Sequence, residues 1–584
     1  MVSETNKIPI DQLPIDTEEE RKKRQGRCVV KQEFIIEVPP TVDDRDVDQQ
    51  PKKKQRMSHK KNKGQNKPKD RIVNTVRDVV QLCQTVSMGN ECTRDECKYS
   101  HDIDEYLALK GPDIGDSCPV FALLGKCRYG LKCRFAMSHT DEQKKPIEKP
   151  ETHEEHEFVK NLKNMDQLKE IRSKTYLLSD QVKEWWQKRN SRVHGSQEQV
   201  ELAENKDDSE FEDRVKLRLC EKKKIDFRGK TYLAPLTTVG NLPFRRICKG
   251  FGVDITCSEM ALGRELLNGK TSEWALTRRH ASEDFFGIQV ACNFPDSYAR
   301  CVQMLSEHVD ADFIDLNLGC PVDTIMKTGC GSALMERKTK LRAMILGAQH
   351  VTSLPITVKL RTGVRHNTLV APKFVPMFSE LGVSAVTLHG RTTEQRYTKM
   401  ADWDIIAQCS ALAAGHHSLQ TTPAFFGNGD VFSPQDYYTH LEAIPSLAGI
   451  MIGRGALIKP WIFQEIKERK IWDISSRERL DILKDYAQFG LEHWGSDTIG
   501  VNNTRRYLCE WLSYLYRYVP VGLLEVLPQR LNERPDVFKG RDELETLMAS
   551  DNVSDWIKLT ELVLGPAPES FSFIPKHKSN SYEG

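Results

Sequence analysis

Between Tyr232 and Ile452 the sequence repeats one pattern eight times: a short apolar run, then a stretch compatible with an amphipathic helix. The runs are Tyr232–Leu236, Ile255–Met260, Phe286–Val290, Phe313–Leu318, Ile356–Leu360, Ala385–Leu388, Ala424–Phe426 and Gly449–Ile452. Strands buried on both faces read as nearly continuous apolar runs, and parallel pairing needs a helix-length crossover between them. Repeated βα units of this number and span predict an α/β fold, a (β/α)8 TIM barrel of roughly 250 residues. The competing arrangement is a doubly wound sheet, which wants Gly-x-Gly-x-x-Gly after its first strand. Ala234-Pro235-Leu236-Thr237 stands there instead.

At 584 residues the chain is too long for one ordinary domain. We expect a disordered basic region over 1–75, two small zinc fingers over 76–141 and a charged linker over 142–224, with a short helical pattern at Tyr176–Trp186. The barrel is expected over 225–465, a C-terminal helical domain over 466–572 and a tail over 573–584. In the helical domain Leu508, Leu512, Leu515 and Val519 mark one helix face that stops at Pro520, with Arg505, Arg506 and Arg517 outside it.

The fourth run ends in Asp315-Leu316-Asn317-Leu318-Gly319-Cys320-Pro321. Gly permits a sharp turn and Pro ends a ladder, so Cys320 is held just past a strand, on the face where barrels keep their chemistry. It could act there as proton donor, nucleophile or ligand. Other strands also end in polar residues. Gln289 interrupts Phe286–Val290, Lys359 lies in Thr357–Gly363, His389 ends the sixth strand, and Gly-rich turns at Gly427–Asp430 and Gly453–Gly455 follow the last two. Such turns are where barrels commonly cradle a phosphate. Cys330, in Thr328–Ala333, is a rival reactive thiol.

Upstream, Cys83-x8-Cys92-x4-Cys97-x3-His101 and Cys118-x8-Cys127-x5-Cys133-x5-His139 each offer three thiolates and an imidazole, a closed structural zinc set. Segments this small have no adequate core, so the metal must supply folding energy. The spacing resembles CCCH fingers, and His139 departs from it by a longer final gap. Tyr99, Phe121, Tyr129 and Phe135 are placed to stack bases, with Lys98, Arg128, Lys132 and Arg134 beside them for phosphates. Some of these aromatics are also expected to shield the zinc.

Ala234-Pro-Leu-Thr237, Gln289, Asn317-Leu-Gly-Cys-Pro321, Lys359-Leu-Arg-Thr-Gly363, His389-Gly-Arg391, Gly427-Asn-Gly-Asp430 and Gly453-Arg454 together resemble the tRNA-dihydrouridine synthase family. With the tandem fingers, the likeness is to its eukaryotic branch, which acts on uridine 47 of the tRNA variable loop. The resemblance implies an RNA-reducing flavoenzyme using FMN and NADPH, with NADH left open. It implies FMN contacts at Pro235, Leu236, Thr237, Gln289, Lys359, His389, Asn428, Gly429, Asp430, Gly453 and Arg454, and Cys320 as proton donor. Reducing the uracil 5,6 double bond takes a hydride at C6 and a proton at C5, and a thiol on a rigid turn can give the proton. Lys359 would stabilise the reduced flavin's anionic edge. By position, Asn317 is expected at the uracil edge.

The net charge is +2, yet residues 52–71 hold ten Lys/Arg and one acid, an RNA footprint or a nuclear-import signal. The partner is expected to be RNA, tRNA first, with mRNA open. A polar N-terminus without an apolar signal core, and the lack of an ~18-residue apolar run, predict a non-secreted, membrane-free protein, cytoplasmic or nuclear. The sixteen cysteines then serve metal and chemistry. The rival function is a non-catalytic CCCH RNA-binding protein on a decayed flavin barrel. Oligomeric state is not legible.

Overall fold

A computed structural model of the chain describes residues 6–13, 26–36, 75–173, 223–366, 368–415 and 422–576. The basic tract at 52–71 and the pattern at Tyr176–Trp186 lie outside them. The chain divides into two compact units, one of 154–456 with 460–469, the other of the N-terminal residues to His153 with 457–459 and 470–584.

The first unit is the expected barrel. Its strands are β1 (Tyr232–Leu233), β2 (Thr256–Cys257), β3 (Phe286–Ala291), β4 (Phe313–Leu318), β5 (Ile356–Arg361), β6 (Ala385–His389), β7 (Ala424–Asn428) and β8 (Gly449–Ile452). Neighbours from β2 to β8 run parallel, and β8 pairs with β1 at Met451↔Tyr232. A parallel bridge, Tyr232↔Ile255, closes the ring, with Leu233 N–H donating to Ile255 O at 2.9 Å.

Alternation along the strands explains why this sequence closes on itself. In β5, Ile356, Val358 and Leu360 are fully buried, while Thr357, Lys359 and Arg361 occupy the alternate positions. Toward the strands' N-terminal ends, Tyr232, Phe313, Phe426, Phe285 and Phe227 pack as one aromatic cluster, with Tyr232 and Phe426 edge-on at 5.5 Å. Gly287 makes room for it: a Cβ there would lie 2.1 Å from Phe313 Cζ. Further along the same strands the alternate positions become Gln289, Asp315, Asn317, Lys359, His389 and Asn428, and register places Lys359 beside Asn317 and His389 beside Asn428. A dry plug thus supports a polar end.

Residues 155–173, expected in the linker, belong to this unit. Val159–Lys160 pairs antiparallel with Arg279–His280, and helix Met165–Ser173 buries Leu168 and Ile171.

The second unit is built on helices Ser476–Trp494, Thr498–Leu515, Glu543–Ala549 and Val553–Leu564. Its first long helix opens with a Ser475/Glu478 capping box. Two pieces of the segment expected to be disordered are ordered against it. Lys7–Pro9 pairs antiparallel with Lys470–Trp472, and Arg27–Cys28 pairs parallel with Arg534–Pro535. Leu13 packs with Ile471 and Val521, and Cys28 and Val30 pack with Val519, Leu523 and Leu524. Burial of these apolar side chains overrides the polar composition around them. Arg505 is another difference. It is 1% exposed and donates to Thr560 Oγ1 and to the carbonyls of Leu564, Gly565 and Pro566, capping the end of Val553–Leu564.

Candidate functional site

The turn after β4 holds Cys320 half-buried and braced from three sides. Asn317 Oδ1 accepts the N–H groups of Gly319 (3.2 Å) and Cys320 (2.9 Å). Arg361 Nε donates to Gly319 O at 2.9 Å, and Ser332 Oγ donates to Cys320 O at 2.9 Å. Cys330 differs from it: it is 7% exposed, and burial pushes its thiol up. Of the two cysteines, Cys320 is the accessible and oriented one.

Around it stand the side chains named from the sequence. Lys359 Nζ makes one long bond, 3.5 Å to Asn428 Oδ1. Burial, then Arg361, pulls its pKa down to about 8. Asn428 Nδ2 donates to Met451 O at 2.8 Å, which sets its amide so that Oδ1 meets the lysine. His389 is 7% exposed. Burial, followed by Arg361, Lys359, Arg391 and Arg454, holds it far below the usual histidine range. It is therefore neutral, and with Arg391 Nη1 donating to Nε2 at 3.2 Å the ring proton sits on Nδ1.

Asp430 has protein partners for its carboxylate: Arg391 Nη2 (2.7 and 2.6 Å), Arg454 Nη2 (2.7 Å) and Ala401 N–H (2.7 Å). Its side chain orients two guanidinium groups. Gly429, at φ +147°, would carry a Cβ 2.4 Å from Ala401 Cβ, so packing of its own loop requires glycine there. At Gly453 a Cβ would meet only Ala234 Cβ at 3.4 Å and Leu236 Cδ2 at 3.7 Å, an ordinary contact. Pro235, Leu236 and Thr237 form the turn after β1, closed by Gly240 N–H on Leu236 O at 2.7 Å.

Asn317, expected by position at a uracil edge, is tied into the scaffold: Oδ1 holds the turn and Nδ2 donates to Gln289 Oε1 at 2.8 Å. Three residues of the site were not read from the sequence. Asp315 lies beneath Gln289. Arg361 holds the Cys320 turn. Tyr397 lies under the Arg454 guanidinium, 4.1 Å from ring centroid to Cζ. An acid inside the β4 run was a signal for Asp315; Tyr397 lies in an irregular loop and gave none.

This set suits a flavin phosphate and ring. It gathers four cations, Lys359, Arg361, Arg391 and Arg454, of which Arg391 and Arg454 pair with the Asp430 carboxylate, and Lys359 has no ion pair among the described residues. An anionic, flat, hydrogen-bonding group would satisfy the ammonium and find the amides of Gln289 and Asn428 in reach.

In the second unit both Cys/His sets come together, each with all four ligand atoms within 4.8 Å of one another. Cys118–Cys127 and Cys118–Cys133 sulfurs are 3.8 and 3.6 Å apart, near the ~3.8 Å edge of a tetrahedron with Zn–S arms of about 2.3 Å. His139, the ligand its spacing made least regular, is in the set, and both its ring nitrogens are buried without a hydrogen-bond partner. A zinc ion held by the three sulfurs would satisfy one of them. The aromatics expected to stack bases are mostly occupied. Phe135 is buried, Phe121 lies against His139 with Lys149 over it, and Tyr129 carries Arg128 and abuts Gly495. Tyr99 is 49% exposed. Arg134 is also engaged, donating to Pro112 O.

A closed parallel barrel with a buried cation cluster and an oriented thiol at the C-terminal ends of its strands defines a barrel enzyme of the flavin-binding kind. Residues 232–507 match the dihydrouridine synthase family model, and 111–142 match the DUS3L CCCH zinc finger domain. A Xenopus laevis protein named tRNA-dihydrouridine(47) synthase [NAD(P)(+)]-like is 46% identical over 560 residues, 92% of this chain and 86% of the relative. The Homo sapiens protein of that name is 43% identical over 564 residues, covering 91% and 85%. A Coprinopsis cinerea protein named tRNA-dihydrouridine(47) synthase [NAD(P)(+)] is 41% identical, covering 91% and 92%. The chain belongs to the dihydrouridine synthase family, and it is an enzyme of that kind.

Proposed function

We propose that this enzyme reduces uridine to 5,6-dihydrouridine in RNA, at position 47 of the tRNA variable loop, with FMN as resident cofactor and NADPH as reductant. The observation that carries the reading is the bracing of Cys320. Its turn is pinned by Asn317, Arg361 and Ser332 beside a cationic, amide-lined barrel end. Gln289, Lys359, His389, Asn428, Gly453, Arg454 and the turn Pro235–Thr237 would hold FMN, with Gly429 and Asp430 shaping the loop behind it. When bound, FMN supplies the hydride that the uracil C6 receives.

The chain's own residues do the rest. Cys320 Sγ–H gives its proton to C5, leaving a thiolate that water reprotonates. Fixing the turn removes the entropy of searching for that geometry. Lys359 places positive charge where negative charge accumulates, and neutral His389 donates a hydrogen bond without adding a second competing cation. A stacked uridine must be extruded to reach a barrel mouth, so binding energy must come from elsewhere on the RNA. We assign that to the helical region and to the first finger with Tyr99. Among the described residues no helix is long and apolar enough to cross a membrane. mRNA remains a second RNA class, and cytoplasmic or nuclear residence fits equally.

The test is mass spectrometry of nuclease-generated tRNA fragments from cells lacking the protein, complemented with wild type or Cys320→Ala. Wild type should restore the two-hydrogen mass gain at position 47 and Cys320→Ala should not. Restoration by Cys320→Ala would sink the assignment.

A further inference from the structure

Beneath Cys320, five residues are joined by hydrogen bonds that converge on Asp315. Thr357 Oγ1 donates to Asp315 Oδ1 at 2.7 Å. Gln289 Nε2 donates to Asp315 Oδ2 at 2.8 Å. Asn317 Nδ2 donates to Gln289 Oε1 at 2.8 Å, and the Cys320 N–H donates to Asn317 Oδ1 at 2.9 Å. The register of three adjacent strands makes this possible, because Asp315 faces Gln289 on one side and Thr357 on the other. Asp315, Gln289 and Asn317 are all at most 8% exposed.

An amide side chain has nearly the same shape whichever way it is flipped, so a buried one takes its polarity from its neighbours. An ionised carboxylate only accepts. Asp315 therefore commits Gln289 to point Nε2 at it and Oε1 away. Oε1 in turn commits Asn317 to point Nδ2 at it, which leaves Oδ1 for the Cys320 turn. We propose that Asp315 is a positioning residue that sets the polarity of the Gln289–Asn317 pair and, through it, the pose of Cys320. An apolar side chain could fill the same strand position without burying a charge. Burial raises this carboxyl to about 6, against the pull of Thr357, Gln289 and Lys359, so it is ionised at neutral pH.

The inference rests on the function proposed above, and substitutions of Asp315 in the full-length holoenzyme test it. Asp315→Asn can keep the polarity, with Oδ1 toward Gln289 and Nδ2 toward the Thr357 hydroxyl, which can accept. Asp315→Leu cannot. The Leu variant should lose about 100-fold in kcat for RNA reduction, the scale of a reacting group displaced by an ångström. Its KM for RNA and its rate of NADPH oxidation with an artificial acceptor should change little. Asp315→Asn should recover most of the loss. Equal losses in the two variants would mean that charge, not polarity, matters, and would overturn the proposal, as would an unimpaired Leu variant. If the Leu variant does not fold, Gln289→Glu is compared with Asp315→Asn/Gln289→Glu, in which donors and acceptors match again. At least about tenfold recovery in the double variant supports the role, and none overturns it. A wild-type enzyme making no dihydrouridine would refute the function itself; wild-type turnover with an indifferent Asp315 refutes only this inference.

Discussion

Ser496 Oγ lies 3.1 Å from Cys133 Sγ, within the second zinc set. The serine belongs to the turn before helix Thr498–Leu515 and is fully buried. It also stands 3.7 and 3.9 Å from the sulfurs of Cys127 and Cys118. Once the sulfurs are metal-bound thiolates, the hydroxyl is the donor. Arg134 N–H donates to Ser496 O at 2.8 Å, so finger and helical turn are stitched through both the backbone and the side chain of Ser496. Ser496→Ala should weaken zinc retention about 10- to 100-fold, the usual cost of losing an outer hydrogen bond to a ligand. Competition with a chromophoric chelator measures it. Retention equal to wild type would show the hydroxyl to be a bystander.

The two cysteines of the barrel mouth should separate cleanly. Cys320→Ala is expected to lower single-turnover dihydrouridine formation by 100-fold or more, the range of a lost general acid, with flavin still bound. Cys330→Ala should leave that rate near wild type and reduce stability by about 1 kcal/mol, as for a small buried deletion. Denaturant melts and rapid-quench assays read the two effects separately.

Lys359 gives a pH signature. Its pKa is lowered from 10.5 to about 8 by burial and then Arg361. Between those values the unfolded chain binds a proton that the folded protein has released, so this residue's contribution to stability rises with pH across that window. Affinity for an anionic group beside it moves the other way. FMN binding should weaken above pH 8, by up to about tenfold per unit, and in Lys359→Met it should be weaker at neutral pH and flat over the same range. Titration of the apoprotein followed by flavin fluorescence tests this. A wild-type profile as flat as that of the variant would exclude the role.

The N-terminal pieces are part of the helical unit's core, so deleting residues 1–36 should cost stability. Removing the partners of Ile471, Val519, Leu523 and Leu524 exposes apolar surface, and a drop in Tm of about 5 °C or more is expected. Differential scanning calorimetry of the full-length and shortened proteins decides it. An unchanged Tm would mean that these strands only rest on the surface.

The barrel was legible because its strands announce themselves by apolar runs, most of them with a polar residue at or near the C-terminal end. Lys359 and His389 could be placed because their strands alternate strictly. Other features depend on partners far away in sequence. Lys7–Pro9 is too short to register as a strand until Lys470–Trp472 lies beside it. Arg505 reads as surface on the pattern of its own helix and is buried only because Val553–Leu564 ends against it. Tyr129 looked free for a base because nothing in its spacing shows that Gly495 comes to meet it. The sequence placed Asp430 beside the ligand but did not show that it holds Arg391 and Arg454, an arrangement that brings together the ends of three strands.

The pairing of Lys7–Pro9 with Lys470–Trp472 also sets an order of events during synthesis. At about 5–20 residues per second, the first strand waits on the order of half a minute to a minute and a half before its partner emerges. The barrel's strands will all have left the ribosome by then, free to assemble from neighbours close in sequence. Lys7–Pro9 therefore finds its place only after the barrel's strands have been made, and its docking marks a chain synthesised past Trp472.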